Sequence, residues 1–338
     1  MAKKILLLMN LGSPESTSIK DIKTYLNEFL MDKRVIDLPY LLRLFLVKGI
    51  ITRFRVVKTA AKYKTIWTEN GSPLIQITKE LVEKIETNSG VTSYMCMRYG
   101  SPSPEIILKK IIKENTDLEE VIFLPLYPHY ALSSYETAVE FIKESFKKNK
   151  YSFNLNIITP FYDHQAYIHA LASTIKPYTE KDYDYILFSY HGIPERQVRK
   201  TDPTKKHCLN SANCCDIKSD AHNYCYKHQV TETTKLVATH LKIPRGKYSI
   251  AYQSRLGLDK WLTPNSIDLF TQLPKQGVKN LLVVCPAFVS DCLETLEEIQ
   301  EEGKELFLNA GGEKFTLIPC LNTNNLWIEA IKEIALKN

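Results

Sequence analysis

Residues 185–195 read YILFSYHGIPE. A run of mainly apolar residues ends at His191, and Gly, Ile, Pro and Glu follow at once. Such a run, stopped by Gly and Pro, is typical of a parallel strand that is buried on both faces. Ligands bind beyond the carboxyl ends of parallel strands. The pattern therefore predicts a strand whose end carries an imidazole into a binding region.

The same pattern occurs near the N-terminus, where residues 11–15 read LGSPE against HGIPE at 191–195. An Arg-x-Gly triplet closes a predicted strand in each half, at Arg98–Gly100 and at Arg255–Gly257. Further along each half, a proline precedes a Glu-Thr pair by eight positions, at Pro128 and at Pro286. Three echoes in one order indicate a duplicated α/β unit. The alternative is that strand-to-helix turns favour Gly and Pro in any protein.

Apolar runs alternate with helical patterns along the whole chain, which predicts two groups of four parallel strands. We place the strands near 4–9, 93–98, 120–126, 154–158, 184–190, 248–253, 279–285 and 315–319. The expected domains are 1–163 and 164–323, with a cysteine-rich insert at 207–228 in the second. The helix at 324–338 is expected to pack back on the first domain.

Composition excludes several classes of protein. A chain of 338 residues has room for two domains, and 44% hydrophobic residues with 12 Gly and 16 Pro argue against disorder and fibrous repeats. The net charge of +6 is mixed along the chain and does not favour a nucleic-acid partner. The N-terminal apolar run is too short to span a membrane, so a cytoplasmic protein with free or metal-bound thiols is expected.

Residues 291–305 read DCLETLEEIQEEGKE, with seven acids and one Lys. On an α-helical wheel the acids share one side and the apolar residues share the other. The acids are Asp291, Glu294, Glu297, Glu298, Glu301, Glu302 and Glu305; the apolar residues are Leu293, Leu296, Ile299, Leu306 and Phe307. A solvated helix face is the simplest interpretation of such a pattern.

Three of these acids suggest a further role. Glu294, Glu298 and Glu302 are spaced at i, i+4 and i+8, where like charges on a helix repel by about 0.2–0.5 kcal/mol per pair. A row of carboxylates that starts near His191 would be tolerated if cations or protons travel along it. Imidazole with carboxylate suits a borderline ion such as Fe²⁺ or Zn²⁺, and the same pair accepts protons near neutral pH.

Residues 207–228 read HCLNSANCCDIKSDAHNYCYKH and contain half of the eight cysteines. The four are Cys208, Cys214, Cys215 and Cys225. Their spacing is no standard zinc-finger pattern, so it indicates metal binding in general. Four thiolates would satisfy a [2Fe–2S] cluster. Zinc and unligated thiols are the alternatives.

The segment 39–65 mixes Leu, Phe and Ile with seven basic residues and no acidic one. As a core-facing helix it would be ordinary. As an exposed rim it would suit a flat apolar ligand that bears carboxylates, and it would rest on the anionic inner face of a membrane.

Eight stretches together resemble the ferrochelatase family, and they run through nearly the whole chain. They are LLLMNLGSPES (6–16), TIWTENGSPL (65–74), MRYGSPSP (97–104), LPLYPHY (124–130), FSYHGIPER (188–196), YQSRLG (252–257), WLTP (261–264) and AFVSDCLETLEEI (287–299). The resemblance implies an α/β fold of two Rossmann-like domains, each a four-stranded parallel sheet flanked by helices, with a porphyrin in the cleft between them. The implied reaction inserts Fe²⁺ into protoporphyrin IX to give protohaem and two protons, the terminal step of haem biosynthesis.

The resemblance also implies roles by position. His191 and Glu294 are the implied catalytic and metal-binding residues, and Glu298 and Glu302 extend the acidic path. The implied porphyrin-lining or supporting residues are Leu11, Ser72, Arg98, Tyr99, Trp261 and Phe288. Some family members carry a [2Fe–2S] cluster, which favours Cys208, Cys214, Cys215 and Cys225 as its ligands.

Two departures from the family pattern stand out. Many relatives have His where this chain has Cys292, and their GDPYP segment is replaced here by residues 201–204, which lead into the cysteine-rich insert. The sequence leaves open which of His191 and Glu294 accepts protons, and the oligomeric state. Other readings are a coproporphyrin or cobalt chelatase, and a haem or iron–sulfur binding protein without turnover.

Overall fold

Eight strands form two four-stranded sheets within residues 3–255, 257 and 259–337, which the computed structural model describes. The strands are β1 Lys3–Ser13, β2 Ser93–Gly100, β3 Leu118–Pro125, β4 Asn154–Ile157, β5 Tyr185–His191, β6 Tyr248–Gln253, β7 Asn280–Val284 and β8 Lys314–Leu317. Every pairing between neighbouring strands is parallel. The prediction of two groups of four parallel strands is confirmed.

The two sheets have the same strand order, β2–β1–β3–β4 in one and β6–β5–β7–β8 in the other. In each, the strand that leads into the x-G-x-P-E motif occupies the second position. This shared topology is what a duplicated α/β unit predicts. Leu256, in the second of the repeated triplets, lies outside the described residues.

The glycines of the two x-G-x-P-E motifs sit where neighbouring backbones come close. A Cβ at Gly12 (φ +104°) would lie 1.8 Å from the carbonyl oxygen of Tyr99, and one at Gly192 would lie 2.9 Å from that of Gln253. No real Cβ tolerates such distances. The motif therefore lets the end of each central strand approach its neighbour closely.

The α-helices surround the sheets. They are α1 Ile19–Leu30, α2 Tyr40–Leu44, α3 Thr52–Phe54, α4 Val56–Ile66, α5 Pro73–Ser89, α6 Pro104–Glu114, α7 Thr137–Asn149, α8 Gln165–Thr179, α9 Glu195–Thr201, α10 Tyr226–His240, α11 Ser266–Gln272, α12 Lys304–Asn309 and α13 Asn325–Leu336. Short 3₁₀ turns occupy Cys214–Asp216, Asp220–Tyr224, Arg245–Lys247 and Pro274–Gln276. No described helix has the length and apolar character that crossing a bilayer requires.

Among the residues that the structure describes, three segments are π-helical: Phe45–Ile51, Leu132–Glu136 and Glu294–Gly303. The last is the acidic segment, and the α-helical wheel described it wrongly. The wheel grouped Glu297 with the exposed acids, but its residue exposure is only 7%, and the acid at 291 is equally buried. A π-helix closes each turn by i→i+5 bonds, so its faces differ from those of an α-helix.

The chain divides into two compact units. The first unit comprises Met1–Tyr127, Leu132–Thr159 and Lys332–Asn338, and the second comprises Pro128–Ala131 and Pro160–Ile331. In the first, Ile5 to Met9 of β1 are fully buried, as a central parallel strand requires. In the second, Phe270, Phe307 and Ile299 belong to a core cluster that seats the π-helical acidic segment on the sheet.

Candidate active site

His191 ends β5, beside the end of β6, where it pairs in register with Gln253. Its Nδ1 lies 2.7 Å from the carbonyl oxygen of Gly192. Because a carbonyl oxygen only accepts, Nδ1 carries the hydrogen, so Nε2 is the ring nitrogen with a lone pair in the neutral tautomer. This arrangement prepares Nε2 to accept a proton or bind a metal ion.

The surroundings of His191 fix its position. The hydroxyl of the buried Tyr226 donates to the backbone oxygen of His191 at 2.9 Å, and the ring of Phe288 lies 6.4 Å from the imidazole, centroid to centroid. A second histidine, His129, packs against Tyr190 and Tyr226. Burial lowers the pKa of His129 to about 3, so that ring stays neutral. His191, which is half-buried, is thus the accessible imidazole of this region.

Gln253 and Ser254 connect the end of β6 to the acidic segment. The Gln253 amide donates to the backbone oxygen of Glu294 at 3.2 Å. The backbone N–H and the hydroxyl of Ser254 donate to the two carboxylate oxygens of Glu298, at 2.8 and 2.5 Å. Gln253 therefore fixes the backbone of Glu294, and Ser254 fixes the carboxylate of Glu298. Both contacts lie beside the end of β5, which carries His191.

The electrostatics show that these groups share one region. Burial raises the pKa of Glu298, and the nearby Glu294 carboxylate adds to this effect, while the Ser254 hydrogen bonds and His191 oppose it. His191, Glu294 and Glu298 thus lie close enough to influence one another. Glu302 lies further along the same π-helical segment and is half-buried.

The structure does not assemble these side chains into a resident metal site. Among the residues described, no group of three or more His, Cys, Asp or Glu side chains is arranged to hold a metal ion. Both oxygens of Glu298 are engaged by Ser254.

Cys292 lies at the start of this segment and is buried. Burial raises the pKa of its thiol well above the ordinary value, and a hydrogen bond to the Glu294 carboxylate acts in the same direction. Cys292, at the position where the family resemblance led us to expect His, is therefore a neutral donor to the first acid of the row.

The residues predicted to line or support a porphyrin are divided between the units. In the second unit, Phe288 packs near His191, and Trp261 forms a β-bridge with Pro194. In the first unit, Leu11 is half-buried near the end of β1 and Ser72 is the N-cap of α5.

Arg98 and Tyr99 belong to a buried network of hydrogen bonds in the first unit. Their contacts suit residues that support the structure around a site. Arg98 bonds Asp32 at 2.5 Å and the Thr137 hydroxyl at 2.8 Å, and its guanidinium lies 4.3 Å from the rings of Tyr99 and Phe141. The Tyr99 hydroxyl donates to Asp32 at 3.0 Å, and its side chain is fully buried. Both groups make the contacts described within this network.

The four cysteines of the insert converge. All are buried, and their thiols are hydrogen-bonded in a chain from Cys214 to Cys215, Cys225 and Cys208. The hydrogen bond with Cys208 and burial raise the pKa of Cys225 to about 12. The four buried sulfurs thus lie in mutual contact, but they are not among any described group of three or more side chains arranged to hold a metal ion.

Polar contacts hold the insert in place around the thiols. The Asp202 carboxylate accepts hydrogen bonds from the backbone N–H groups of Thr204, His207 and Cys208. The rings of His207 and His228 bond the backbone oxygens of Cys214 and Cys215, at 2.8 and 2.9 Å. These histidines therefore support the loop and leave the sulfurs as the inward-facing donors.

Sequence reasoning missed the roles of Gln253 and Ser254, although both lie in the quoted YQSRLG stretch. Their position could have indicated these roles. Gln253 ends the strand that pairs with β5 and Ser254 follows it, so both would be expected to lie beside His191 and near the segment that begins at Glu294. The left-handed backbone of Ser254 (φ +60°), which aims both its donors at one carboxylate, has no signature in the sequence.

A family model described as ferrochelatase matches residues 3–338. The ferrochelatase of Pseudomonas putida strain W619 is 42% identical over 339 residues and covers 100% of both chains. That of Porphyromonas gingivalis is 41% identical and covers 98% of this chain and 96% of its own.

Among solved structures, SirB from Bacillus subtilis with Fe³⁺ has a TM-score of 0.55 and 14% identity, covering 99% of this chain and 96% of its own. At that identity the likeness concerns the fold. The sequence matches extend over the full length of the chain. This chain belongs to the ferrochelatase family.

Proposed function

We propose that this chain inserts Fe²⁺ into protoporphyrin IX, giving protohaem and two protons. The observation that carries the proposal is the convergence of a proton-accepting imidazole, His191, with Glu294 and Glu298 at the ends of parallel strands. Membership in the ferrochelatase family supports the same reaction. Iron is a substrate in this scheme.

The chemistry assigns a task to each group. A planar porphyrin hides its nitrogen lone pairs and carries two N–H protons, so the ring must bend and the protons must leave before a metal enters. Contacts at the ring periphery supply about 1–5 kcal/mol of such strain. The Nε2 of His191 accepts protons, because its Nδ1 is committed to Gly192. Glu294, Glu298 and Glu302 carry cations in and protons out.

The test is an insertion assay without oxygen, offering protoporphyrin and coproporphyrin, each with Fe²⁺, Zn²⁺ or Co²⁺. The proposal requires multiple turnovers of protoporphyrin with Fe²⁺, followed by absorbance. A preference for coproporphyrin or for cobalt would support the neighbouring chelatase readings. A passive haem or iron–sulfur binding protein would show no turnover with any pair.

We propose that the chain rests on anionic membranes through the segment 39–65. Its exposed large apolar side chains are Tyr40, Leu41, Leu42, Phe45, Ile50, Phe54 and Val57. Basic residues alternate with them, so the segment offers apolar anchors and cations to the same surface. The other face, which includes Val47 and Ile51, is buried and fastens the segment to the first unit.

The double change Phe45→Ser and Phe54→Ser is expected to weaken binding to vesicles of phosphatidylglycerol more than about tenfold, because each ring contributes apolar area to the lipid. The rings are 67% and 72% exposed. Co-sedimentation measures the affinity, and Ile106→Ser, at an apolar residue of α6 that is 59% exposed, is the control. Equal binding by both variants would contradict the membrane proposal.

We propose that Cys208, Cys214, Cys215 and Cys225 bind a [2Fe–2S] cluster. Their burial and mutual contacts support it. No described group is arranged to hold a metal ion, and this finding bears equally on a preformed cluster and on a preformed zinc site. The four sulfurs would hold the cluster, which supplies an electron-accepting centre when bound.

Protein purified without oxygen is expected to contain about two irons and two acid-labile sulfides per chain, with visible absorption. Cys214→Ser should remove most of both, because it deletes one ligand. Cys96→Ser, at a buried thiol in β2 of the other unit, should retain them. Colourless protein without iron would refute the cluster. One zinc per chain in that protein would show that the four cysteines bind zinc instead.

A further inference from the structure

Ser254 adopts an unusual backbone conformation at the candidate site. Its φ of +60° lies in the left-handed region, which a non-glycine residue seldom occupies without compensation. The compensation here is specific. The conformation directs the N–H and the hydroxyl of one residue to the two oxygens of one carboxylate, at 2.8 and 2.5 Å.

The carboxylate that Ser254 holds belongs to the acidic row. Glu298 occupies the middle place between Glu294 and Glu302 on the π-helical segment. Hydrogen bonds to an ionised group are about twice as strong as neutral ones. Two such donors therefore set both the rotamer of Glu298 and the direction of its remaining lone pairs.

The position of Ser254 is itself well fixed. Gln253, which is 1% exposed, accepts a hydrogen bond from the Ser189 hydroxyl at 2.7 Å and donates to the backbone of Glu294. Its own backbone oxygen accepts from Gly192 N–H at 2.7 Å, next to His191. Ser254 thus couples Glu298 to the same strand ends that position the imidazole.

We infer that Ser254 is a positioning residue for metal transfer: it holds the Glu298 carboxylate in the orientation that receives the incoming divalent cation and passes it toward His191. The inference rests on the proposed function. It assigns the Ser254 hydroxyl to handling of the metal and not of the porphyrin. Its loss should therefore change the KM for the metal and leave the KM for the porphyrin unchanged.

Three substitutions separate this role from a structural one. Ser254→Gly removes the hydroxyl but relieves the left-handed backbone, so this variant should be as thermostable as the wild type or more so. Ser254→Ala removes the hydroxyl and keeps the strain. Ser254→Thr keeps the hydroxyl and adds β-branching in the left-handed region, so it should be less stable but retain metal handling.

The experiment is steady-state zinc and iron insertion, with the KM for metal, the KM for porphyrin and Tm measured for each variant. Ser254→Gly and Ser254→Ala are expected to raise the KM for metal roughly ten- to a hundredfold, the loss of one charge-assisted hydrogen bond. Ser254→Thr should stay near the wild type. Ser249→Ala, on β6 five residues before Ser254, is the matched control.

Glu298→Gln is the reference variant. It distinguishes a failure of the inference about Ser254 from a failure of the role proposed for the acidic row. If it raises the KM for metal while Ser254→Gly matches the control, the inference about Ser254 is overturned and the acidic row stands. If activity follows Tm across the Ser254 variants, the role is structural and the inference is also overturned. A wild-type protein that inserts no metal overturns the proposed function itself, before any variant is compared.

Discussion

His191→Ala is expected to lower the rate of iron insertion into protoporphyrin by about 10²–10⁴-fold, the range that a positioned acid–base group contributes. The change removes the Nε2 lone pair that we assign to proton acceptance. The ring is half-buried and its Nδ1 is bonded to Gly192, so it has little part in the core. Porphyrin binding should therefore remain measurable by quenching of tryptophan fluorescence.

The control for this prediction is His169→Ala. His169 lies on α8 of the same unit and is exposed, so its loss removes an imidazole without touching the site. Insertion by His191→Ala at the rate of this control would contradict the assignment of His191 as base. Loss of porphyrin binding with the rate per bound substrate intact would assign the ring to binding.

The strands could be predicted because apolar runs and turn residues are local signals. β5 was expected at 184–190 and lies at Tyr185–His191. β1 was expected only to residue 9, but it continues to Ser13, which pairs with Gly100 of β2. Polar residues such as Asn10 interrupt the apolar run, so the sequence pattern did not predict that β1 pairs with β2 beyond residue 9.

The acidic segment shows a second limit of the sequence. Its composition predicted a helix with an apolar and an acidic side, but nothing local indicated that Glu294–Gly303 would be π-helical. In this conformation Ile299 packs in the core and Glu298 bonds Ser254. Those partners are distant in sequence, so Glu297 was placed on the wrong side.

The hydrogen-bond partner of Arg98 could not be predicted from the sequence either. Arg98 was expected to line or support the porphyrin cleft because of its motif, and its guanidinium bonds Asp32, 66 residues earlier in the chain. A lone Asp after α1 has no pattern that indicates burial. Only the packing of α1 and α7 against β2 brings Asp32, Arg98 and Thr137 together, and this network allows the second large prediction.

Asp32→Ala is expected to destabilise the first unit by about 3–5 kcal/mol at pH 7, the cost of removing one partner of a buried ion pair. The side chains of Asp32 and Arg98 are 6% and 10% exposed. Thr137, Tyr99 and the Arg34 N–H also donate to the same carboxylate. Urea denaturation followed by tryptophan fluorescence, with amide exchange of β2 peptides, measures the loss.

The control is Glu105→Ala, which breaks an exposed i,i+4 pair with Lys109 and should change the free energy of unfolding far less than Asp32→Ala. The pH dependence gives a second check. Burial alone would raise the pKa of Asp32, but hydrogen bonds from Thr137 and Arg34 and the charge of Arg98 outweigh it and lower the pKa.

A carboxyl whose pKa is lowered on folding stabilises the protein above its unfolded pKa, about 3.9 for Asp, and loses this contribution as the pH falls through the folded value. The difference in unfolding free energy between wild type and Asp32→Ala should therefore be constant from pH 7 to about 5 and narrow below pH 4. A difference under about 1 kcal/mol at pH 7, or one that widens in acid, would show that the network does not hold Asp32 as its anion.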